Sequence, residues 1–193
     1  MVFLVVGLGN PGLRYRKNRH NAGFMAAERV AGKTGIEISK TDFGGTYGSG
    51  FHGETKLIVF KPETYMNNSG EPVRKIMNFY GIEKENLVVA HDEVDLPVGR
   101  IQVKLSGGSA GHNGIKSVAA SVGNEFARVR IGVGKPAPGG MDVADYVLAD
   151  FDGSEMETVA QSIDTAAAAV CEIVSDGVAE AMNRHNRILE NKN

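Results

Sequence analysis

The five residues Val2–Val6 are apolar without a break and run directly into Gly-Leu-Gly-Asn-Pro-Gly at 7–12. A run that short cannot cross a membrane. A strand with no polar face must instead be covered on both sides, as in a layered α/β sheet. Leu87-Val88-Val89-Ala90 repeats the pattern. Between and after these runs lie segments of helical period. Residues 21–33 place Phe24, Ala27, Val30 and Ala31 on one face and stop at Gly35. Residues 69–81 carry Val73, Ile76, Met77 and Tyr80 behind Ser69 as a candidate cap, and 113–123 also reads as helix.

Short strands are expected near 36–40, 46–52 and 55–60, an alternating edge strand at 101–105 and a further strand at 129–133. Strands alternating with helices predict a single three-layer α/β/α domain over residues 1–193, with a mixed, mostly parallel central sheet. The closely spaced strands of 36–60 predict its antiparallel part. Lys-Pro-Ala-Pro-Gly-Gly-Met at 135–141 predicts a flexible lid loop over about 135–150. The C-terminal part, about 154–190, is predicted helical. Its stripe of Val159, Ile163, Ala166, Val170, Ile173 and Val174 is broken near Asp176-Gly177.

The formal net charge is −2, so no global field drives the chain onto nucleic acid, and any such attraction must be local. The stretch after the first glycine turn supplies it: Arg14, Arg16, Lys17 and Arg19 fall within six residues, and His20 follows at once. Histidine is the side chain most readily used as a base near neutral pH. A base beside concentrated positive charge points to chemistry on a phosphate-bearing substrate. Tyr15, inside the same stretch, is placed to stack on a base or ribose. Cys171 is the sole cysteine, which excludes an internal disulfide and predicts a reducing, cytoplasmic setting. No charged leader pattern opens the chain.

Residues 7–12 match the G-x-G-x-x-G dinucleotide fingerprint in letters only. That fingerprint needs a helix opening at the loop to receive a pyrophosphate. Here Pro11 and the polar segment 14–19 intervene, and no acidic residue ends a second strand, so no nucleotide cofactor is expected. His91-Asp92-Glu93-Val94-Asp95 follows the second apolar run and suggests either a metal site or a carboxylate that orients a base. Metal sites usually take two or more spaced histidines or a carboxylate cage, and only His91 is local. The expectation is therefore no metal, with a carboxylate accepting a hydrogen bond from His20, and Glu93 in a solvated turn.

Ser106–Gly114 is a glycine-rich loop entering a helix, a place where free backbone N–H groups bind anions. It lacks the lysine of a P-loop. Lys104 before it, with Arg128 and Arg130, predicts a phosphate clamp, and His112 and Asn113 at the helix start join the candidate substrate groups. Tyr65-Met66-Asn67 opens another polar loop. Asn10, Asn67 and Asn113 thus sit on three separate loops, and neutral amides suit peptide backbone and ribose hydroxyls.

Taken together these blocks resemble the bacterial-type peptidyl-tRNA hydrolases over nearly the whole chain. The marks are Gly-Leu-Gly-Asn-Pro-Gly (7–12), Tyr15, Arg-His-Asn-Ala-Gly (19–23), Lys-Pro-Glu-Thr-Tyr-Met-Asn-Asn-Ser-Gly (61–70), His-Asp-Glu-Val-Asp-Leu-Pro (91–97), Gly-His-Asn-Gly (111–114), Arg-Ile-Gly-Val-Gly (130–134), and Tyr-Val-Leu (146–148) before Phe151. The resemblance implies a monomeric, metal-free esterase acting on peptidyl-tRNA, with no obligate protein partner and no membrane. On that model His20 activates water, Asp92 holds His20, and Asn10 helps distinguish N-blocked from free aminoacyl esters. Tyr15, Tyr65, Asn67 and Asn113 contact the tRNA or its peptidyl end. Ala110 stands where the family often has glycine, and Tyr65 where phenylalanine is also common.

Overall fold

The computed structural model describes residues 1–187. Among them one sheet is built from β1 (Val2–Gly7), β2 (Lys40–Asp42), β3 (Gly45–His52), β4 (Thr55–Pro62), β5 (Leu87–Glu93), β6 (Ile101–Leu105) and β7 (Ala127–Gly132), in the order β2-β3-β4-β1-β5-β7-β6. The four central strands β4, β1, β5 and β7 run parallel; β3 and β6 run against them. The helices are α1 (Ala22–Thr34), α2 (Gly70–Tyr80), α3 (Asn113–Val122), α4 (Val143–Leu148), α5 (Met156–Asp176) and α6 (Val178–His185).

The apolar runs behave as their patterns require. Along β1, Phe3 and Val5 face a core with α1 and α5, while Leu4 and Val6 face a second core with α2 and α3. β5 divides likewise, Val88 and Ala90 to one side, Leu87 and Val89 to the other. Both faces are dry, and truncating any of these larger side chains to alanine costs about 2–5 kcal/mol.

Three expectations change. Residues 36–39 are irregular, and the strand begins only at Lys40, because Ile36 turns into the core beside α1 after the left-handed Gly35 cap. Ser69 is itself helical and donates to the Met66 carbonyl oxygen at 2.9 Å, so it does not cap α2. The lid region carries a helix, α4, where a loop was expected over 135–150. The predicted C-terminal helix and its break at Gly177 are as expected through His185; residues 188–190 of that prediction lie outside the described residues. The edge of β6 is covered by the Asn186 side chain, which accepts from the Val103 N–H at 2.8 Å and donates to its carbonyl at 2.7 Å.

Connectivity places the site. The chain leaves β1 for α1 on one face and leaves the adjacent β4 for α2 on the other. Neighbouring strands whose exits part in this way open a crevice at their carboxyl ends. Glycine lets α1 begin against that end. A Cβ on Gly7 would lie 2.2 Å from the Gly23 carbonyl oxygen, and one on Gly23 would lie 2.3 Å from that of Ala90. Only bare backbone at both positions brings the start of α1 onto the tips of β1 and β5.

Candidate active site

His20 lies in the short 3-10 turn that precedes α1, and Asp92 lies near the end of β5. The close helix start brings them together: His20 Nδ1 is 2.9 Å from both Asp92 carboxylate oxygens. His112, at the start of α3, approaches the same carboxylate, its Nε2 2.8 Å from Oδ1. The network assigns the tautomers. His112 Nδ1 accepts from the Ile115 N–H at 3.2 Å, so its proton sits on Nε2 and is donated to Asp92. His20 donates through Nδ1, which leaves the Nε2 lone pair for the cleft. Asp92 is fully buried. Burial alone pushes its carboxyl up, but His112 and then His20, by charge and hydrogen bond, outweigh this and hold it well below the usual carboxylate range. The carboxylate is therefore ionised and flanked by two imidazoles.

The nitrogen and oxygen atoms of His20, Asp92 and His112 lie within 4.8 Å of one another, close enough to raise the question of a metal ion. They meet one another directly through N–H···O bonds, whereas ligands of one ion converge on a common centre about 2.0–2.2 Å from each. The trio has the build of an imidazole oriented by a buried carboxylate.

Asn10 is fixed just as firmly. Its N–H donates to Asn21 Oδ1 at 2.9 Å, and Asn21 Nδ2 returns a bond to the Asn10 carbonyl at 3.0 Å. Its own Oδ1 accepts from the Met66 N–H at 2.9 Å, which settles the orientation of the amide. Among the described residues its Nδ2 has no partner, so a donor is left facing the cleft. A cleft of about 580 Å³ gathers Asn10, Tyr15, His20, Tyr65, Asn67 and Asn113, with Met66 and the lid residues Ala144, Val147 and Leu148. A smaller cavity of about 200 Å³ lies on the other side of His20, against Asp92, His112, Asn113 and Val143. Neither lining includes a serine, threonine or cysteine.

Other expectations are revised. Glu93 is not in a solvated turn: it is buried at the end of β5, and its Oε2 accepts from Arg130 Nε at 2.9 Å and Nη2 at 2.6 Å. Arg130 also donates to Gln102, so this half of the predicted clamp is turned inward. Arg128 is buried and donates to the Gly107 and Gly108 carbonyls at 2.7 and 2.8 Å and to Asn124. Lys104 is exposed on β6. Arg19 is not part of the basic surface: it is buried, donates to Glu155 Oε2 at 2.6 Å and to the Asp150 carbonyl, and stacks on Tyr146 with 4.5 Å to the ring centroid. It ties the lid helix to the turn that carries His20. Ala110 has φ +47°, left-handed backbone for which glycine is better suited.

Sequence reasoning missed Asn21 as the brace of Asn10, and His112 as the second partner of Asp92. Neither has a spacing signal, since their partners stand 11 and 20 residues away.

A switch-point crevice with an imidazole held on a buried carboxylate, and no serine, threonine or cysteine in its walls, fits a class: hydrolases that attack with water itself. Within that class the chain belongs to the peptidyl-tRNA hydrolase family, whose sequence model matches residues 4–193. It is similar to the peptidyl-tRNA hydrolase of Clostridium botulinum strain Eklund 17B, 42% identical over 192 residues and 99% of each chain. It is also similar to that of strain Hall, 44% identical over 188 residues, 97% of this chain and 98% of the other. The crystal structure of peptidyl-tRNA hydrolase from Acinetobacter baumannii matches with a TM-score of 0.89 and 39% identity, covering 96% of this chain and 94% of that one.

Proposed function

We propose that this chain hydrolyses the ester that joins a peptide to the terminal ribose of tRNA, releasing free peptide and tRNA. The observation that carries the reading is the His20 imidazole, held on ionised Asp92 with its Nε2 lone pair turned to the cleft beside the free Asn10 amide. In the reaction, His20 Nε2 takes a proton from water as the water oxygen attacks the ester carbonyl carbon. The Asp92 carboxylate stabilises the imidazolium that forms. Amide donors of the cleft face the developing oxyanion. The tetrahedral species collapses, the bond to the ribose 3′ oxygen breaks, and that oxygen receives the proton from His20. An ester is already activated relative to an amide, so one base and such donors suffice.

The free group of Asn10 is a donor, and this gives a basis for selectivity. A blocked or peptidyl substrate presents an amide carbonyl next to the esterified residue, which accepts from Nδ2. A free aminoacyl ester presents an ammonium there, which is a donor only and meets a donor. Tyr15, Tyr65, Asn67 and Asn113 are assigned to the substrate, and exposed Lys104 to a tRNA phosphate. We assign a monomer acting as a single domain. Among the described residues no helix is long and apolar enough to cross a membrane. We assign the protein to the cytoplasm, where its substrate arises.

The test is peptide release from N-acetyl-aminoacyl-tRNA, in chelator, by wild type and His20→Ala. Turnover that collapses in the variant supports the reading. A wild type that binds tRNA without cleaving the ester overturns it in favour of an RNA-binding role.

A further inference from the structure

Three consecutive side chains in the turn before α1 reach three different places. His20 reaches Asp92, Asn21 reaches the backbone of Asn10, and Arg19 reaches the segment that follows the lid helix. The first two build the reacting centre; the hydrolytic step gives Arg19 no task. Yet little else fixes the His20 ring. It lines both cavities of the site, so packing alone does not confine it. Asp92 is its sole hydrogen-bond partner among the described residues. The ring therefore goes where its backbone goes. That backbone is a 3-10 turn of three residues with no side-chain cap, closed by the Asn21 N–H on the Asn18 carbonyl at 3.0 Å.

The turn is held by the stretch between α4 and α5. The Arg19 N–H donates to the Ala149 carbonyl at 3.0 Å, and the Phe151 N–H donates to that of Lys17 at 3.2 Å. Asn18 Nδ2 donates to Asp150 Oδ1 at 2.6 Å. This is one isolated antiparallel bridge, Asn18↔Asp150, outside the sheet. So short a pairing is marginal in water by itself. The Arg19 guanidinium locks it, donating to the Asp150 carbonyl and to Glu155 Oε2 at 2.6 Å. It also lies over the rings of Tyr146 and Phe151, 4.5 and 5.1 Å from their centroids. A planar fork serves two acceptors at once, which an ammonium does poorly. Glu155 is itself fixed, since its Oε2 accepts from the Asp152 N–H at 2.8 Å where the chain turns into α5. Stability alone is a poor account of this buried pair, because apolar side chains of like volume often replace one without loss. Arg19 Nε is even buried without a partner among the described residues.

Building on the hydrolytic reading above, we propose that Arg19 is a positioning residue for the reaction. By locking its own turn to the start of α5, it sets the place of the His20 ring on Asp92 and toward the cleft.

The experiment reads kcat and KM for N-acetyl-aminoacyl-tRNA. It also follows by NMR the ring proton that His20 donates to Asp92, assigned by its absence from His20→Ala. Arg19→Met keeps an unbranched side chain against Tyr146 and Phe151 but removes the fork. It is expected to lower kcat about 10- to 100-fold, the effect of displacing a reacting group by about 1 Å, with KM within about twofold. Its His20 proton should broaden through exchange with water. Arg19→Lys keeps the charge and one acceptor, so its kcat should fall between those of Arg19→Met and wild type. Thermal unfolding checks each fold. Should Arg19→Met not fold, Glu155→Gln is read in its place, with kcat expected to be about three- to tenfold lower. Tyr146→Phe loosens the lid alone by removing the hydroxyl bond to the Val133 carbonyl, and should leave kcat within about twofold. A folded Arg19→Met or Glu155→Gln enzyme with the kcat of wild type, or with an unchanged His20 proton, overturns the proposal. So does a Tyr146→Phe enzyme that loses as much kcat as Arg19→Met. If wild type does not cleave the ester, the hydrolytic reading falls, and the His20 proton still decides whether Arg19 places the ring.

Discussion

Two clusters of polar and charged side chains stand beside each other, one at the carboxyl end of β5 and one across β7 and β6, and they differ in what their polar atoms face. In the first, around His20, Asp92 and Asn10, internal hydrogen bonds fix each group but leave one lone pair and one amide donor turned to the cleft. In the second, Lys104, Arg128 and Arg130, the two guanidiniums are engaged by Glu93, Gln102, Asn124 and the carbonyls of Gly107 and Gly108. Only Lys104 stays exposed. Both clusters look equally functional as sequence. Charge alone does not mark a working group; a polar atom that the fold positions and then leaves open to a cleft does.

The largest effects test the first cluster. His20→Ala is expected to lower kcat by about 10³ or more, roughly 4 kcal/mol of transition-state stabilisation, with little change in unfolding temperature. Asp92→Asn is expected to cost about 10²–10⁴ in kcat, because an amide can donate to Nδ1 and so favour the tautomer whose Nε2 carries the proton. Single-turnover peptide release measures both. A Asp92→Asn enzyme within a few-fold of wild type would break the comparison, since the carboxylate would then be only a buried anchor.

The second cluster should respond in stability. Glu93→Gln leaves the Arg130 guanidinium, whose side chain is 18% exposed, without its carboxylate. The expected cost is about 2–4 kcal/mol in urea unfolding, with kcat of the folded enzyme nearly intact. Lys104→Ala is expected to do the opposite: no loss of stability, a KM about tenfold higher, and a salt dependence of binding reduced by about 0.7–0.9 in slope, the signature of one phosphate contact. A Lys104→Ala enzyme with unchanged KM and slope would leave this whole corner structural.

The difference between the clusters also explains what sequence could tell. The unbroken apolar runs Val2–Val6 and Leu87–Ala90 have one physical solution, a strand covered on both faces, and the layered fold follows from them. His20 and Asp92 could be paired because the one follows the glycine turn after β1 and the other stands in the acidic run that ends β5, and the resemblance of whole blocks assigned their roles. The fate of Glu93 and Arg130 was hidden. Whether a carboxylate after an apolar run is solvated or buried depends on how many residues β5 keeps paired, and it pairs with β7 through Glu93↔Gly132. Arg19 was misread for the same reason, since its acceptors stand more than 130 residues away. Long-range satisfaction of polar groups has no local signal.

His91 forms the wall between the two clusters, and it offers the smallest and most specific test. Its ring meets that of His112 edge-on at 4.8 Å, and its other side lines a cavity with Lys104, Arg128 and Arg130. Nδ1 donates to the Asp92 carbonyl at 2.7 Å, which leaves Nε2 a buried acceptor without a partner among the described residues. Burial first, then the neighbouring His112, holds this imidazole well below its ordinary value of 6.5, so it is neutral in the folded chain. On unfolding below that value it takes up a proton. The unfolded state then binds more protons than the native one, and stability falls as pH drops below about 6.5, at up to about 1.4 kcal/mol per pH unit for one group. Asp92 has the same sign, but its depressed carboxyl contributes fully above 3.8 and loses that contribution only at lower pH. The window from pH 6.5 to 5 therefore separates the two. Urea midpoints of wild type and His91→Gln across that window should differ in slope, the variant being flatter. Equal slopes would mean that His91 takes up its proton in place, and the wall between the clusters would then carry charge rather than insulate them.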